Sequence, residues 1–119
     1  NSYNYFLEQK EMMSLFSVND AQRNPYFNMV EEDEKSGYYK LIKNIGPVIK
    51  SRQKAPKVFD MNASFYWYRR DFFNKKYSSP ITDKSGIFKM EHICFDIDNH
   101  LDLKLMEYLI SSKEIDFLL

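Results

Sequence analysis

The chain has 119 residues, in which 17 lysine or arginine residues balance 17 aspartate or glutamate residues, and its formal net charge is zero. This length allows one modest domain with a hydrophobic core. The balanced charge excludes a global basic field that would attract nucleic acid, and no apolar run is long enough to span a membrane. Cys94 is the single cysteine, so an intrachain disulfide is excluded. Since no signal peptide is visible, we expect a reducing, cytoplasmic setting.

The first half of the chain predicts a helix, a buried strand and a hairpin. Apolar residues at helical spacing follow Ser2, a candidate N-cap. The short apolar run SLFSV is typical of a buried strand. The predicted elements are a helix over 2–12, a buried strand over 14–18, a turn at 24–25, a strand around 27–31 and a loop or hairpin tip over 31–37.

The second half predicts further strands and a C-terminal amphipathic helix. Asn99 with Asp102 three residues later is a capping arrangement, and Leu101, Leu105, Tyr108 and Leu109 share one helical face. Strands that alternate with helices predict an α/β fold, although the strands are few for a complete doubly wound sheet. The predicted elements are strands over 61–68, 86–90 and 92–97, a short helix over 69–77 and a helix from 99.

The stretch FDIDNHLDL, residues 95–103, crowds two like charges before this helix. In a strand, Asp96 and Asp98 would point to the same face, at the edge where open α/β sheets bind ligands. Two such carboxylates repel unless a cation lies between them, and Mg²⁺ is the natural occupant. The alternative is that Asp98 and Asn99 cap the helix while Asp96 lies on the surface.

The chain contains only three glycines, and they form no glycine-rich loop. Phosphate-binding sites normally use such a loop, because backbone N–H groups must approach the phosphates closely. Any nucleotide chemistry must therefore take its phosphate cradle from outside this chain.

Three segments in register resemble the acylneuraminate cytidylyltransferase family. They are the stretch around Asp96 and Asp98, SLFSVNDAQRNPYFNMVE over 14–31 and SRQKAPKVFDMNASFYW over 51–67. The resemblance implies the C-terminal part of a Rossmann-like nucleotidyltransferase fold, of the nucleotide-diphospho-sugar transferase type, with an extended dimerisation arm. On this interpretation residues 1–119 form the C-terminal portion of the domain, and the N-terminal nucleotide-binding half is absent.

The resemblance also implies a function. A complete enzyme of this family transfers CMP from CTP to an acidic nine-carbon sugar, N-acetylneuraminate or a related nonulosonate, and releases pyrophosphate. Asp96 and Asp98 match the family's metal-binding aspartates, and Mg²⁺ is the implied cofactor. Arg52 and Tyr66 match residues that bind the sugar, and Asn62 matches a motif asparagine with a pocket or turn role.

The family resemblance assigns residues 26–59, here called the arm, to homodimerisation. Seven basic and no acidic residues lie between Lys35 and Phe59, which is either a solvated basic surface or a surface for an anionic ligand or partner. The isolated chain is expected to be inactive. Two alternatives to this function stay open. The chain could be a catalytically silent oligomerisation or sugar-binding module, or it could belong to a nucleotidyltransferase for another sugar.

Two departures from the family pattern affect these expectations. Ala63 stands where the motif has glycine, so the backbone there is less free. Ser79-Pro80 stands where sialate-specific members have a Phe-Phe pair, which favours a nonulosonate other than N-acetylneuraminate.

Overall fold

The computed structural model describes residues 1–44 and 55–115 of the chain. These residues form a mixed α/β fold, as predicted. Its elements are α1 (Ser2–Glu8), β1 (Ser14–Asp20), β2 (Val30–Glu32), β3 (Tyr39–Leu41), β4 (Phe59–Tyr68), α2 (Arg70–Asn74), β5 (Ser85–Lys89) and α3 (His100–Ser111). None of the helices in the described ranges has the length and apolar character needed to cross a membrane.

Strand β1 is the centre of a three-stranded sheet with the order β4-β1-β5. It pairs antiparallel with β4 and parallel with β5. Leu15, Phe16 and Val18 are buried, and so are Ser14 and Ser17. A strand covered on both faces reads as a continuous apolar run, which is why SLFSV predicted this position correctly.

Strands β2 and β3 form a separate two-stranded antiparallel sheet. All six of their residues are exposed. At the tip, the carbonyl oxygen of Asp33 accepts hydrogen bonds from the N–H groups of Ser36 and Gly37, and Gly37 has a φ of 69°. The hairpin tip predicted around these residues is thereby confirmed.

Hydrogen bonds of Arg69 connect helix α1 and the loop after it to the end of β4. The Arg69 guanidinium donates hydrogen bonds to the carbonyl oxygens of Phe6 at 2.7 Å, Gln9 at 3.0 Å and Met12 at 3.3 Å. It also lies 4.6 Å from the centroid of the Phe6 ring. The N-cap of α1 is Asn1, not the predicted Ser2, because the Asn1 side chain accepts the hydrogen bond from the N–H of Tyr3.

The predicted strand over 92–97 is wrong. These residues form no strand, although the structure describes all of them. A strand needs a hydrogen-bonding neighbour, and residues 92–97 pair with no strand in the described part of the chain. The ladder of β1 and β5 ends before them, at the hydrogen bond from the N–H of Met90 to the carbonyl oxygen of Val18. The capping box is confirmed, since Asn99 accepts from the N–H of Asp102 and the Asp102 carboxylate accepts from the N–H of Asn99.

The apolar stripe of α3 does not face a core among the described residues. Leu101 is 74% exposed and Tyr108 is 63% exposed. No residue of α3 is buried. The sequence pattern therefore predicted the helix correctly, but not its environment.

Candidate functional site

A bulge in β4 carries the predicted site residue Asn62. The register of the β1–β4 pairing shifts on either side of Ser17, so that residues 62–65 lie opposite this single serine. Ser17 is 1% exposed. Its hydroxyl donates to Oδ1 of Asn62 at 2.5 Å and accepts from the N–H of Phe65 at 3.1 Å. A buried hydroxyl thus closes the bulge.

Two asparagine side chains connect the bulge to the segment that carries the aspartate pair. Nδ2 of Asn62 donates to Oδ1 of Asn19 at 2.6 Å. Nδ2 of Asn19 donates to the carbonyl oxygen of His92 at 3.0 Å. Asn62 also accepts from the N–H of Ser64 at 3.1 Å, within the bulge.

A cleft of about 920 Å³ opens where the parallel strands β1 and β5 end. Its position is the carboxyl edge of the parallel pair, where α/β sheets bind their ligands. Asn62 and Asp96 line this cleft, so the structure brings two of the predicted site residues together. Tyr66 and Asp98 are not among the lining residues.

The cleft is predominantly acidic. Lys89 forms an ion pair with Asp20 at 2.6 Å. Asp60, Glu91 and Asp96 also line the cleft, and none of them forms an ion pair with a residue in the described ranges. Three uncompensated carboxylates attract a cation, so a polyanionic ligand such as a triphosphate would need a cation to enter.

Asp96 and Asp98 lie on an exposed, irregular segment instead of a strand end. Neither carboxylate pairs with a cationic side chain in the described part of the chain. The N–H of Asp98 donates to the Asp102 carboxylate at 3.1 Å, which places Asp98 directly at the start of α3. The backbone of Asp98 thus takes part in the start of α3, while its carboxylate forms no ion pair within the described residues.

The described residues contain no group of three histidine, cysteine or acidic side chains that could hold a metal ion. Mg²⁺ commonly takes only one or two protein carboxylates and completes its shell with water and substrate phosphates. Two unpaired carboxylates at Asp96 and Asp98 fit that donor set. The magnesium site stays a prediction.

Tyr66 belongs to a row of aromatic rings on β4 and α2. Its ring stacks on that of Tyr68, with centroids 6.2 Å apart and an interplanar angle of 6°. It also lies 6.3 Å from Phe16. Burial raises the pKa of the Tyr68 phenol above its ordinary value, and repulsion from the Tyr66 phenolate adds to this shift. The structure does not bring Tyr66 into the cleft with Asp96.

Arg52, the predicted sugar-carboxylate ligand, lies outside the described residues. Of the arm, the structure describes residues 26–44 and 55–59, which include the exposed hairpin of β2 and β3.

Sequence reasoning missed Ser17 and Asn19. Both lie on β1, where the pattern indicated only a buried strand. The available signal was polarity, because SVN places a hydroxyl and a carboxamide within an apolar strand, and buried polar groups require partners.

Comparisons with known proteins identify relatives of the chain. No family model matches it. Over 102 residues it is 41% identical to a CMP-N,N'-diacetyllegionaminic acid synthase of Campylobacter jejuni subsp. jejuni serotype O:2. The aligned residues make up 85% of this chain and 41% of the synthase. Over 108 residues it is 37% identical to post-translational flagellin modification protein B of Campylobacter coli. The aligned residues make up 90% of this chain and 44% of that protein. The chain therefore spans less than half the length of these curated relatives.

Proposed function

Since this chain belongs to the acylneuraminate cytidylyltransferase family, we propose that it forms the C-terminal part of an enzyme that transfers CMP from CTP to an acidic nonulosonate and releases pyrophosphate. The observation that carries this proposal is the 41% identity to a protein named as a CMP-N,N'-diacetyllegionaminic acid synthase. The sugar that we propose is accordingly a diacetylated nonulosonate of the legionaminic type. The replacement of the Phe-Phe pair by Ser79-Pro80 agrees with a sugar other than N-acetylneuraminate.

Asp96 and Asp98 are proposed to hold the Mg²⁺ ion of this reaction. When bound, Mg²⁺ neutralises phosphate charge while the sugar hydroxyl attacks the α-phosphorus and pyrophosphate leaves. The acidic cleft beside Asp96 supports this role, because three of its carboxylates form no ion pair within the described residues and favour a cation over a bare triphosphate.

Arg52 and Tyr66 are proposed to bind the sugar. A guanidinium suits the sugar carboxylate, since it can donate two parallel hydrogen bonds to the two oxygens. Tyr66 is 36% exposed, so it can contact a ligand without displacement of a core residue.

We also propose that the enzyme is a homodimer that associates through the arm. The described part of the arm supports this, because its hairpin exposes Val30, Tyr38 and Tyr39 by 60%, 77% and 70%. Apolar surface of this kind is typical of a protein interface.

The proposed reaction is tested in the complete enzyme by pyrophosphate release with CTP, Mg²⁺ and either N,N'-diacetyllegionaminate or N-acetylneuraminate. We expect release with the first sugar at a higher kcat/KM than with the second. The isolated 119-residue chain should release none, because it has no glycine-rich phosphate loop. If the complete enzyme releases no pyrophosphate with any nonulosonate tested, the proposed function is contradicted. If the isolated chain releases pyrophosphate, the proposal that it is only the C-terminal part of the enzyme is contradicted.

The metal assignment is tested by Asp98→Asn, which removes the charge and keeps the size. We expect kcat to fall at least about a hundredfold, because a lost metal ligand costs several kcal/mol of transition-state stabilisation. Asp83→Asn is the matched control, since Asp83 is an exposed aspartate in the loop before β5. Equal turnover of the two variants at saturating Mg²⁺ would exclude Asp98 as a ligand.

A further inference from the structure

We propose that Asn19 is a positioning residue that holds the segment 92–98, and with it Asp96 and Asp98, against the carboxyl end of β1. The proposal rests on the proposed function for what this segment binds. Its structural basis is the carboxamide of Asn19, which joins Asn62 on one side to the main chain of His92 on the other.

The direction of this hydrogen-bond chain is fixed at both ends. The N–H of Ser64 can only donate, and it donates to Oδ1 of Asn62. Nδ2 of Asn62 therefore faces Oδ1 of Asn19. The carbonyl of His92 can only accept, and it accepts from Nδ2 of Asn19. Each of these hydrogen bonds joins a donor to an acceptor, so the series of hydrogen bonds has one consistent direction.

The regular backbone pairing of the sheet ends just before this segment, so the Asn19 bond is a side-chain contact from β1 to it. The parallel ladder of β1 and β5 continues as far as the hydrogen bond from the N–H of Met90 to the carbonyl of Val18. After it the backbone forms no strand until α3 begins at His100. Ile93 is 71% exposed, so burial of its side chain contributes little there.

The bond also connects two parts of the cleft. Asn19, Asn62 and Asp96 all line it. Loss of the Asn19 amide should let the segment move away from β1, which would separate Asp96 from the bulge and loosen the geometry of the aspartate pair. A net hydrogen bond of ordinary strength corresponds to about a fivefold change in such an equilibrium.

The test uses the 119-residue chain itself, labelled with ¹⁵N, in three variants. Asn19→Ala removes both contacts. Asn19→Asp is nearly isosteric, keeps the acceptor for Asn62 and removes the donor to His92. Asn74→Ala is the control, since Asn74 is an exposed asparagine at the end of α2.

We expect the backbone order parameters of residues 92–98 to fall in both Asn19 variants toward the flexible range, below about 0.6, while those of β1 and β4 stay rigid. They should not change in the control. The second measurement is a Mn²⁺ titration that follows broadening of the amide signals of Asp96 and Asp98. Asn19→Ala should need about fivefold more Mn²⁺ for half-maximal broadening than the unaltered chain. Asn19→Asp is compared by its order parameters alone, because it adds a carboxylate to the cleft that Asn19 lines.

These two measurements separate the possible failures. Unchanged order parameters in residues 92–98 of Asn19→Asp would overturn the positioning role. If order falls in Asn19→Ala but its Mn²⁺ requirement does not rise, Asn19 is a structural residue only, and the proposal is again overturned. Lack of any Mn²⁺ broadening in the unaltered chain would instead contradict the metal assignment of Asp96 and Asp98.

Discussion

Ala63 is the clearest case of backbone strain at the residue scale. It lies in the bulge of β4 with a φ of 56°, the left-handed region that favours glycine. The resembling family motif has glycine at this position. The strain is compensated locally, because Asn62 accepts the N–H of Ser64 across Ala63 and the buried hydroxyl of Ser17 closes the bulge.

We predict that Ala63→Gly stabilises the chain by about 0.5–1 kcal/mol, since the relief of left-handed strain exceeds the entropy that glycine loses on folding. The measurement is the urea midpoint at an unchanged slope. Ala21→Gly is the control, because Ala21 is not among the described residues with a positive φ and should lose stability. A lower midpoint for Ala63→Gly would show that the bulge stores no such strain.

At the scale of the element, Arg69 determines where α1 lies. A seven-residue helix is too short to be stable by itself in water, so α1 depends on tertiary contacts. Arg69 supplies them at the helix C-terminus, where a positive charge also interacts favourably with the helix dipole. Trp67 adds a contact at the other end, because its Nε1–H donates to the Ser2 hydroxyl at 3.2 Å.

We predict that Arg69→Lys destabilises the chain by about 1–2 kcal/mol, because a lysine ammonium cannot reproduce a planar fork that reaches several carbonyls at once. Arg70→Lys, at an exposed neighbouring position, should change stability by less than about 0.5 kcal/mol. Urea unfolding measures both. Trp67 is the single tryptophan, so its fluorescence should also shift to longer wavelength in folded Arg69→Lys if α1 detaches. Equal stabilities of the two variants would contradict the role of Arg69.

At the scale of the whole molecule, exposed apolar side chains indicate missing partners. Six apolar residues are buried among the described ones, and twenty large apolar residues are exposed. Apolar surface of this extent is typical of a chain that packs against a partner.

We predict that the chain dimerises through the β2–β3 hairpin of the arm. Light scattering at micromolar concentration should give twice the chain mass of 14.3 kDa, and the pair Tyr38→Ser with Tyr39→Ser should shift it to the monomer. The control pair, Tyr5→Ser with Tyr108→Ser, removes two exposed tyrosines outside the arm and should leave the dimer intact. A monomeric unaltered chain, or equal effects of both pairs, would contradict dimerisation through the arm.

The sequence by itself determined the features that depend on local patterns. An unbroken apolar run gave the buried strand β1, the acidic turn gave the hairpin tip, and Asn99 with Asp102 gave the start of α3. Each of these features depends on residues close together in the sequence, through apolar patterning, turn-forming residues or helix capping. The family resemblance likewise rested on short motifs, and the relatives confirm it.

Only the tertiary structure decided which surfaces meet. Residues 92–97 had a strand-like composition, but a strand exists only where a neighbouring strand pairs with it, and the ladder of β1 and β5 ends at Met90. Asn19 gained its place in the site because β1 ends at the cleft, which no spacing in the sequence reveals. The stripe of α3 shows the same limit, because periodicity marks an apolar face but does not specify what covers it.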